Sequence, residues 1–242
     1  MLKTTVATLV LATAALATSA NAQEGRWQGP YIGAHGAYGD GKVQDVDNAS
    51  AAKQDIDGWL GGIQAGYNRQ NGNFVYGIEA DVTFGKNEKK WLDRDTFANR
   101  YSAYYGRDSI RTSGTLRARA GYGGEKALVY LTGGLAIADT KHGIGCDGAL
   151  NTAAIGRCST LNANSAFYNE ASKTRIGYVL GGGVEVAVND NISIKGEYNY
   201  VDYGKKTVNI DDPLWNTDPN FTGDRNFDLS TNLYKVGVNF RF

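Results

Sequence analysis

Residues 74–84 alternate without a break: Phe74, Tyr76, Ile78, Ala80, Val82 and Phe84 share one face, and Val75, Gly77, Glu79, Asp81 and Thr83 share the other. A period of two sustained over this length predicts a β-strand with two unlike faces. Roughly 10 residues is also the length a tilted strand needs to cross a bilayer. Residues 110–122 repeat the pattern, with Ile110, Thr112, Gly114, Leu116, Ala118, Ala120 and Tyr122 set against Arg111, Ser113, Thr115, Arg117, Arg119 and Gly121.

Six further segments fit the same template. A first, short, Gly-rich strand is expected over 31–39. A second over 59–68 sets Trp59, Ile63, Ala65 and Tyr67 against Gln64 and Asn68. In the fifth, over 128–139, both faces are fairly apolar and the facing stays open. The sixth, 174–188, places Tyr178, Leu180, Val184, Val186 and Val188 against Arg175, Gly177, Gly181, Gly183 and Glu185. The seventh, 192–203, sets Ile192, Ile194, Tyr198 and Tyr200 against Ser193, Lys195, Glu197 and Asn199. The last, 229–242, sets Tyr234, Val236, Val238, Phe240 and Phe242 against Lys235, Asn239 and Arg241.

The connections alternate as well. Tight turns are expected at 71–73, 123–126 and 189–191, whereas 40–57, 87–108, 141–172 and 204–228 read as long polar loops. Short turns on one side and long loops on the other is the organisation of outer-membrane barrels. The expectation is an all-β fold: an eight-stranded antiparallel up-and-down transmembrane β-barrel with short periplasmic turns and four long extracellular loops. A soluble barrel of lipocalin type would turn the same strands inside out, and the charges argue against it. Glu79 and Asp81 are expected opposite Arg117 and Arg119, and Glu185, Lys195, Glu197, Lys235 and Arg241 continue a mixed-sign set that satisfies itself inside a lumen but would cost about 2–4 kcal/mol per charge at the lipid midplane. Aromatic residues are expected to form two belts, with Tyr31, Tyr67, Phe74, Tyr76, Tyr122, Phe240 and Phe242 at the periplasmic interface and Tyr38, Trp59 and Phe84 at the other.

The N-terminus has the form of a cleavable leader: Lys3, an apolar run over 6–17, then Ala20, Asn21 and Ala22, with cleavage expected between Ala22 and Gln23. The run is too short for a spanning helix. The expected division is a signal peptide, 1–22, and an outer-membrane barrel, 23–242. Composition agrees with many short strands and tight turns: 32 Gly and 15 Tyr against 3 Pro and 1 Met. Lys plus Arg and Asp plus Glu balance at 25 each, which offers no footprint for nucleic acid.

The stretches Trp27-Gln28-Gly29-Pro30-Tyr31-Ile32-Gly33, Gly181-Gly182-Gly183-Val184-Glu185, residues 194–204 (IKGEYNYVDYG) and the terminal Lys235-Val236-Gly237-Val238-Asn239-Phe240-Arg241-Phe242 resemble the porin-like, OmpA-type barrel proteins of alphaproteobacteria, the RopB-type surface antigens. The resemblance implies a bacterial outer-membrane location. It makes Tyr234, Val236, Val238, Phe240 and Phe242 an insertion signal read by the barrel-assembly machinery. It also implies lipid and lipopolysaccharide as surroundings, and surface or host ligands at the loops.

No catalytic constellation is expected. His35 and His142 are the two histidines, and neither has identifiable hydrolase or metal-site partners; no cofactor or metal is assigned. Glu79 and Asp81, two apart on one strand, read as part of an internal salt-bridge network rather than a catalytic pair. Cys146 and Cys158, 12 apart in one loop, are expected to pair in an oxidising envelope rather than remain free thiols. The favoured function is structural and surface-interacting, supporting outer-membrane integrity and loop-mediated contacts. A narrow porin-like channel for ions or small solutes is the alternative that the resemblance implies, and the resemblance also implies a third reading, haem or other ligand binding at the surface, in which His35 and nearby tyrosines would be recruited.

Overall fold

The computed structural model describes residues 25–46, 54–95, 100–147, 158, 166–211 and 223–242; the expected leader, with Ala20, Ala22 and Gln23, lies outside them. Eight strands follow one another: β1 (Gly29–Asp45), β2 (Gln54–Asn71), β3 (Phe74–Asp95), β4 (Arg100–Gly123), β5 (Ala127–Cys146), β6 (Phe167–Ala187), β7 (Ile192–Asn209) and β8 (Asp224–Arg241). Each pairs antiparallel with the next, and β8 returns to β1 with registers from Tyr31 opposite Arg241 to Asp45 opposite Phe227, closing the sheet. Closure leaves no strand edge at membrane depth, which is what allows a sheet to stand in lipid.

The tight turns are made by local chemistry. Gly72 adopts φ 58° between β2 and β3, where Asn71 faces Phe74. The Asn189 side chain accepts from the Asn191 and Ile192 amides at 3.0 and 2.8 Å, an Asx turn that reverses the chain in three residues.

The outward face of the lower barrel is apolar, with Ile63, Ile78, Leu116, Leu131, Leu135, Leu180, Val236 and Val238 all exposed. Tyr67, Phe74, Tyr76, Tyr122, Phe240 and Phe242 ring its periplasmic end. Toward the other end, Tyr38 packs edge-on against Trp59 at 5.3 Å, and Tyr178–Tyr200 and Tyr198–Tyr234 form further pairs. Hydroxyls of this upper belt donate to Asp57, Asp202 and Asn232, as amphipathic rings do at a headgroup boundary. The facing of β5 is settled: Leu128, Tyr130, Ala136 and Ala138 point inward and Val129, Leu131 and Leu135 outward.

Three expectations are corrected. Tyr31 is not a girdle residue; it is 1 % exposed inside the lumen, because it has the opposite parity to lipid-facing Ile32. The regions 40–57, 87–108, 141–172 and 204–228 are not simply loops, since every strand runs further than expected and β3 and β4 pair as far as Asp95 with Arg100. The alternation expected through Ile110 fails at a bulge between Ile110 and Thr112, which turns Ile110 inward and Arg111 outward.

Above the upper belt the ring divides. Pairing of β6 with β7 stops at Tyr178 opposite Asp202, and β2 meets β3 above Leu60 only at Asp57 with Glu88. The remaining ladders continue, so the extensions form two sheets, β3–β4–β5–β6 and β7–β8–β1–β2. Their inner faces meet in one apolar cluster: Val43, Ile56, Val208, Ile210, Phe227 and Leu229 from one sheet, and Tyr104, Ile110, Ile144 and Cys146 from the other. On the outside of the first sheet Lys141 pairs with Glu170 and holds that carboxyl below the usual range by its hydrogen bond.

Leu131, outward on β5 within the apolar band, separates a lipid-facing from a water-facing exterior. Leu131→Arg is expected to cost about 2–4 kcal/mol of folding free energy in lipid vesicles, measured by urea titration of the two-state folding signal. No loss would mean that this face does not meet lipid.

Candidate functional site

The lumen at membrane depth is filled by charged side chains held in one network. Arg117 projects inward from β4 and bonds Glu79, lies 3.1 Å from Asp81 Oδ2, and donates to Glu197 Oε1 at 2.6 Å and Asn199 Oδ1 at 2.8 Å. From the opposite wall Lys195 reaches Glu79 at 3.0 and 3.1 Å, and Lys235 reaches Asp81 at 2.9 Å. The register explains the geometry: Arg117 sits opposite Glu79, but Asp81 faces Thr115 and Arg119 faces Gly77. The expected two-on-two pairing is therefore replaced by a fan, in which Arg117 takes three carboxylates.

A second centre lies nearer the periplasm. Glu185 receives Arg119 at 2.9 Å, Arg241 at 3.1 Å, Ser193 at 2.6 Å and Asn239 at 3.1 Å. Arg119 also donates to the Tyr31 hydroxyl at 2.7 Å and lies 3.9 Å from the centre of the Tyr130 ring. The two tyrosines complete the network, Tyr31 donating to Glu79 at 2.8 Å and Tyr130 to Glu197 at 2.7 Å. All nine charged residues singled out from the sequence thus meet in one interior, five cations with four carboxylates. Two lumen glycines make room: a Cβ at Gly66 would strike the Tyr31 hydroxyl at 2.4 Å, and one at Gly183 the Tyr130 hydroxyl at 2.7 Å.

Sequence reasoning placed Ser193, Asn199 and Asn239 on the polar face but missed the two tyrosines. Their signal was parity alone, since Tyr31 and Tyr130 share the phase of a charged residue on an adjoining strand.

Apolar caps close the charged zone at both ends. Trp27, Val75, Leu128 and Tyr130 cluster at the periplasmic side, with the Trp27 indole donating to the Gly124 carbonyl at 2.8 Å and the Arg241 guanidinium 5.0 Å from its ring. The cluster between the two outer sheets closes the other side, and the Cys146–Cys158 disulfide lies within it. The histidines are separated. His35 contacts Gln64 and Thr83; His142 lies in the outer extension between Asp108 and Arg175. No group of three or more His, Cys, Asp or Glu among the described residues is placed to hold a metal ion. The carboxylates of the lumen each accept from several donors, as members of a salt-bridge network do.

The residues suggested as an insertion signal, Tyr234, Val236, Val238, Phe240 and Phe242, occupy the lipid-facing side of β8, all exposed. Between them, Lys235, Asn239 and Arg241 enter the network.

A closed sheet with an apolar exterior, two aromatic belts and a polar, side-chain-filled interior defines an integral outer-membrane β-barrel. The chain belongs to the family described as the outer membrane protein beta-barrel domain, whose model matches residues 8–242. It is 31% identical over 229 residues to the 31 kDa outer-membrane immunogenic protein of Brucella melitensis, covering 89% of this chain and 84% of that one. It is 28% identical over 218 residues to the 22 kDa outer membrane protein of Rhizobium leguminosarum bv. viciae, covering 90% and 79%. Among solved structures, OprG from Pseudomonas aeruginosa shares the fold at a TM-score of 0.54 and 11% identity, covering 90% of this chain and 98% of that one.

Arg117→Ala would leave Glu79, Asp81 and Glu197 short of a buried cation. It is expected to destabilise the barrel by about 3–5 kcal/mol, seen as a lowered urea midpoint for unfolding from micelles. A change near zero would show that the fan does not hold the walls together.

Proposed function

We propose that this outer-membrane protein is a structural and surface-interaction barrel, supporting the integrity of the membrane and presenting its outer extensions to the exterior, rather than a conduit. The observation that carries the reading is the stack inside the ring: a buried salt-bridge layer with an apolar cap on either side. An eight-stranded barrel has an interior just wide enough for side chains to fill, and here Arg117, Arg119, Lys195 and Lys235 fill it. On this reading the leader is removed after Ala22, the exposed face of β8 ending at Phe242 is the strand offered to the barrel-assembly machinery, and lipopolysaccharide surrounds the upper belt. The immunogenic character named for the Brucella relative fits a protein whose contacts are made by its outer parts.

The test is conductance. Purified refolded barrel in a planar bilayer is expected to stay silent, and the Arg117→Ala, Arg119→Ala double variant to show at most brief openings. Steady single-channel conductance from the wild type would overturn the filled-barrel reading in favour of the narrow porin-like channel.

A further inference from the structure

Where the β6–β7 ladder ends at Tyr178 and Asp202, the two outer sheets are joined across the gap by side chains that reach backbone carbonyls. Asn169 Nδ2 donates to the Asp211 carbonyl at 2.8 Å. Arg175 Nη1 donates to the Gly204 carbonyl at 3.0 Å and to the Phe227 carbonyl at 2.9 Å. Gly204, with φ 61° beside a bulge between Asp202 and Lys205, is where β7 leaves the ring. Arg175 is completely buried, and it ties β6 of one sheet to β7 and β8 of the other.

The guanidinium is steadied from behind by a histidine. Arg175 Nη2 lies 3.1 Å from His142 Nε2, and because arginine has only donors, this ring nitrogen must be the acceptor. The ring proton therefore sits on Nδ1, which faces Asp108 Oδ1 at 2.7 Å. The Phe227 ring of β8 stacks on the imidazole with centroids 4.5 Å apart and planes 5° from parallel. Among the described residues, the charged groups around the pair include Asp108 from β4, Arg175 itself from β6 and Asp228 from β8, whose field also reaches Arg175. On β5, Thr140 accepts from Arg175 Nε at 3.4 Å, and Lys141 points to the opposite face, toward Glu170.

We propose that the seam between β6 and β7 is an acid-sensitive latch, held shut by Arg175 resting on the unprotonated Nε2 of His142 and released when that nitrogen takes up a proton. Protonation puts an N–H where Arg175 needs a lone pair and sets two cations 3.1 Å apart. Asp108, on the far side of the ring, holds the imidazolium in place, so the guanidinium is the group displaced. Its bonds to the Gly204 and Phe227 carbonyls go with it, which leaves the gap, among the described residues, with the Asn169 contact above the Tyr178–Asp202 pair. Histidine is the side chain whose charge ordinarily changes between about pH 5 and 8, and this one lies in the outer extension, away from the strand ladders of the membrane zone. Opening parts the two outer sheets along one side and exposes the apolar cluster between them.

The experiment is amide hydrogen exchange by mass spectrometry on the refolded full barrel in micelles at about pH 8 and about pH 5, following residues 167–177 and 203–209 and correcting for the chemical rate. Exchange in both segments is expected to rise about tenfold in acid, with residues 179–187 unchanged. In His142→Gln, whose side-chain amide offers an acceptor that does not titrate, the rise is expected to vanish. A wild type without the rise, or a variant that keeps it, overturns the proposal. Should the variant fail to fold, NMR titration of the His142 ring in the wild type decides: a midpoint coincident with that of the exchange supports the latch, and a separate midpoint overturns it.

Discussion

Every backbone amide and carbonyl of this chain that enters lipid has to find its partner within the protein, because lipid supplies none. That single requirement forces the strands into a ring, and the pairing of β1 with β8 from Tyr31–Arg241 to Asp45–Phe227 is where it is met. Once the ring is closed, the alternation of each strand leaves a choice of only two sides, and the apolar set must take the outer one. The inner set then has a fixed and small volume to fill.

The filling is charged, although a buried ion pair is seldom the most stabilising way to fill a core. Each strand must also cross water before it reaches the membrane. A strand apolar on both faces would read as a continuous hydrophobic run, the composition that favours self-association of unfolded segments. Alternating Glu79 and Asp81 with Ile78 and Ala80, or Arg117 and Arg119 with Leu116 and Ala118, keeps every segment half polar until closure brings the charges together. The desolvation cost is offset by multiplicity: Glu185 has four donors and Glu79 has three cations and a tyrosine hydroxyl in hydrogen-bond contact. Closure and neutralisation are therefore one event, and the network forms only when β3, β4, β6, β7 and β8 are all in place.

Much of this was legible in the sequence, because lipid imposes its pattern strongly. The period of two identified the outward and inward sets of β3 and, from Thr112 onward, of β4, and the nine charged lumen residues followed from parity. What was not legible has particular causes. A tyrosine near a strand end suits either an interface or a packed lumen, and the Gly-rich alternation of β1 is too weak to settle the phase of Tyr31. β5 was ambiguous because its inward residues include Leu128, Ala136 and Ala138, which pack in the caps rather than in the charged zone. The partners of Asp81 and Arg119 depended on a register that hydrophobic pattern does not report.

The largest misreading, long loops in place of strand extensions, comes from a change of sign within single strands. In β8, Tyr234, Val236, Val238 and Phe240 face out and Lys235, Asn239 and Arg241 face in; a few residues earlier, Asp228, Ser230 and Asn232 face out while Phe227, Leu229 and Leu233 face in. β7 makes the same exchange, from outward Ile194 and Tyr198 to inward Val201, Tyr203 and Val208, and β5 from outward Leu131 and Leu135 to outward Asp139 and Lys141. In β5 and β8 the backbone alternation continues through the exchange and only the medium outside it alters, whereas β7 adds a bulge between Asp202 and Lys205. Below the exchange the strand separates lipid from a polar lumen, and above it water from an apolar core. A window spanning both reads as noise, which a polar loop also does. The exchange is therefore itself the signal: in a chain of this class, the residue where a strand's apolar face switches sides marks the outer surface of the membrane, and strands that continue beyond it must find a second core, as these do by dividing into two sheets packed on one another.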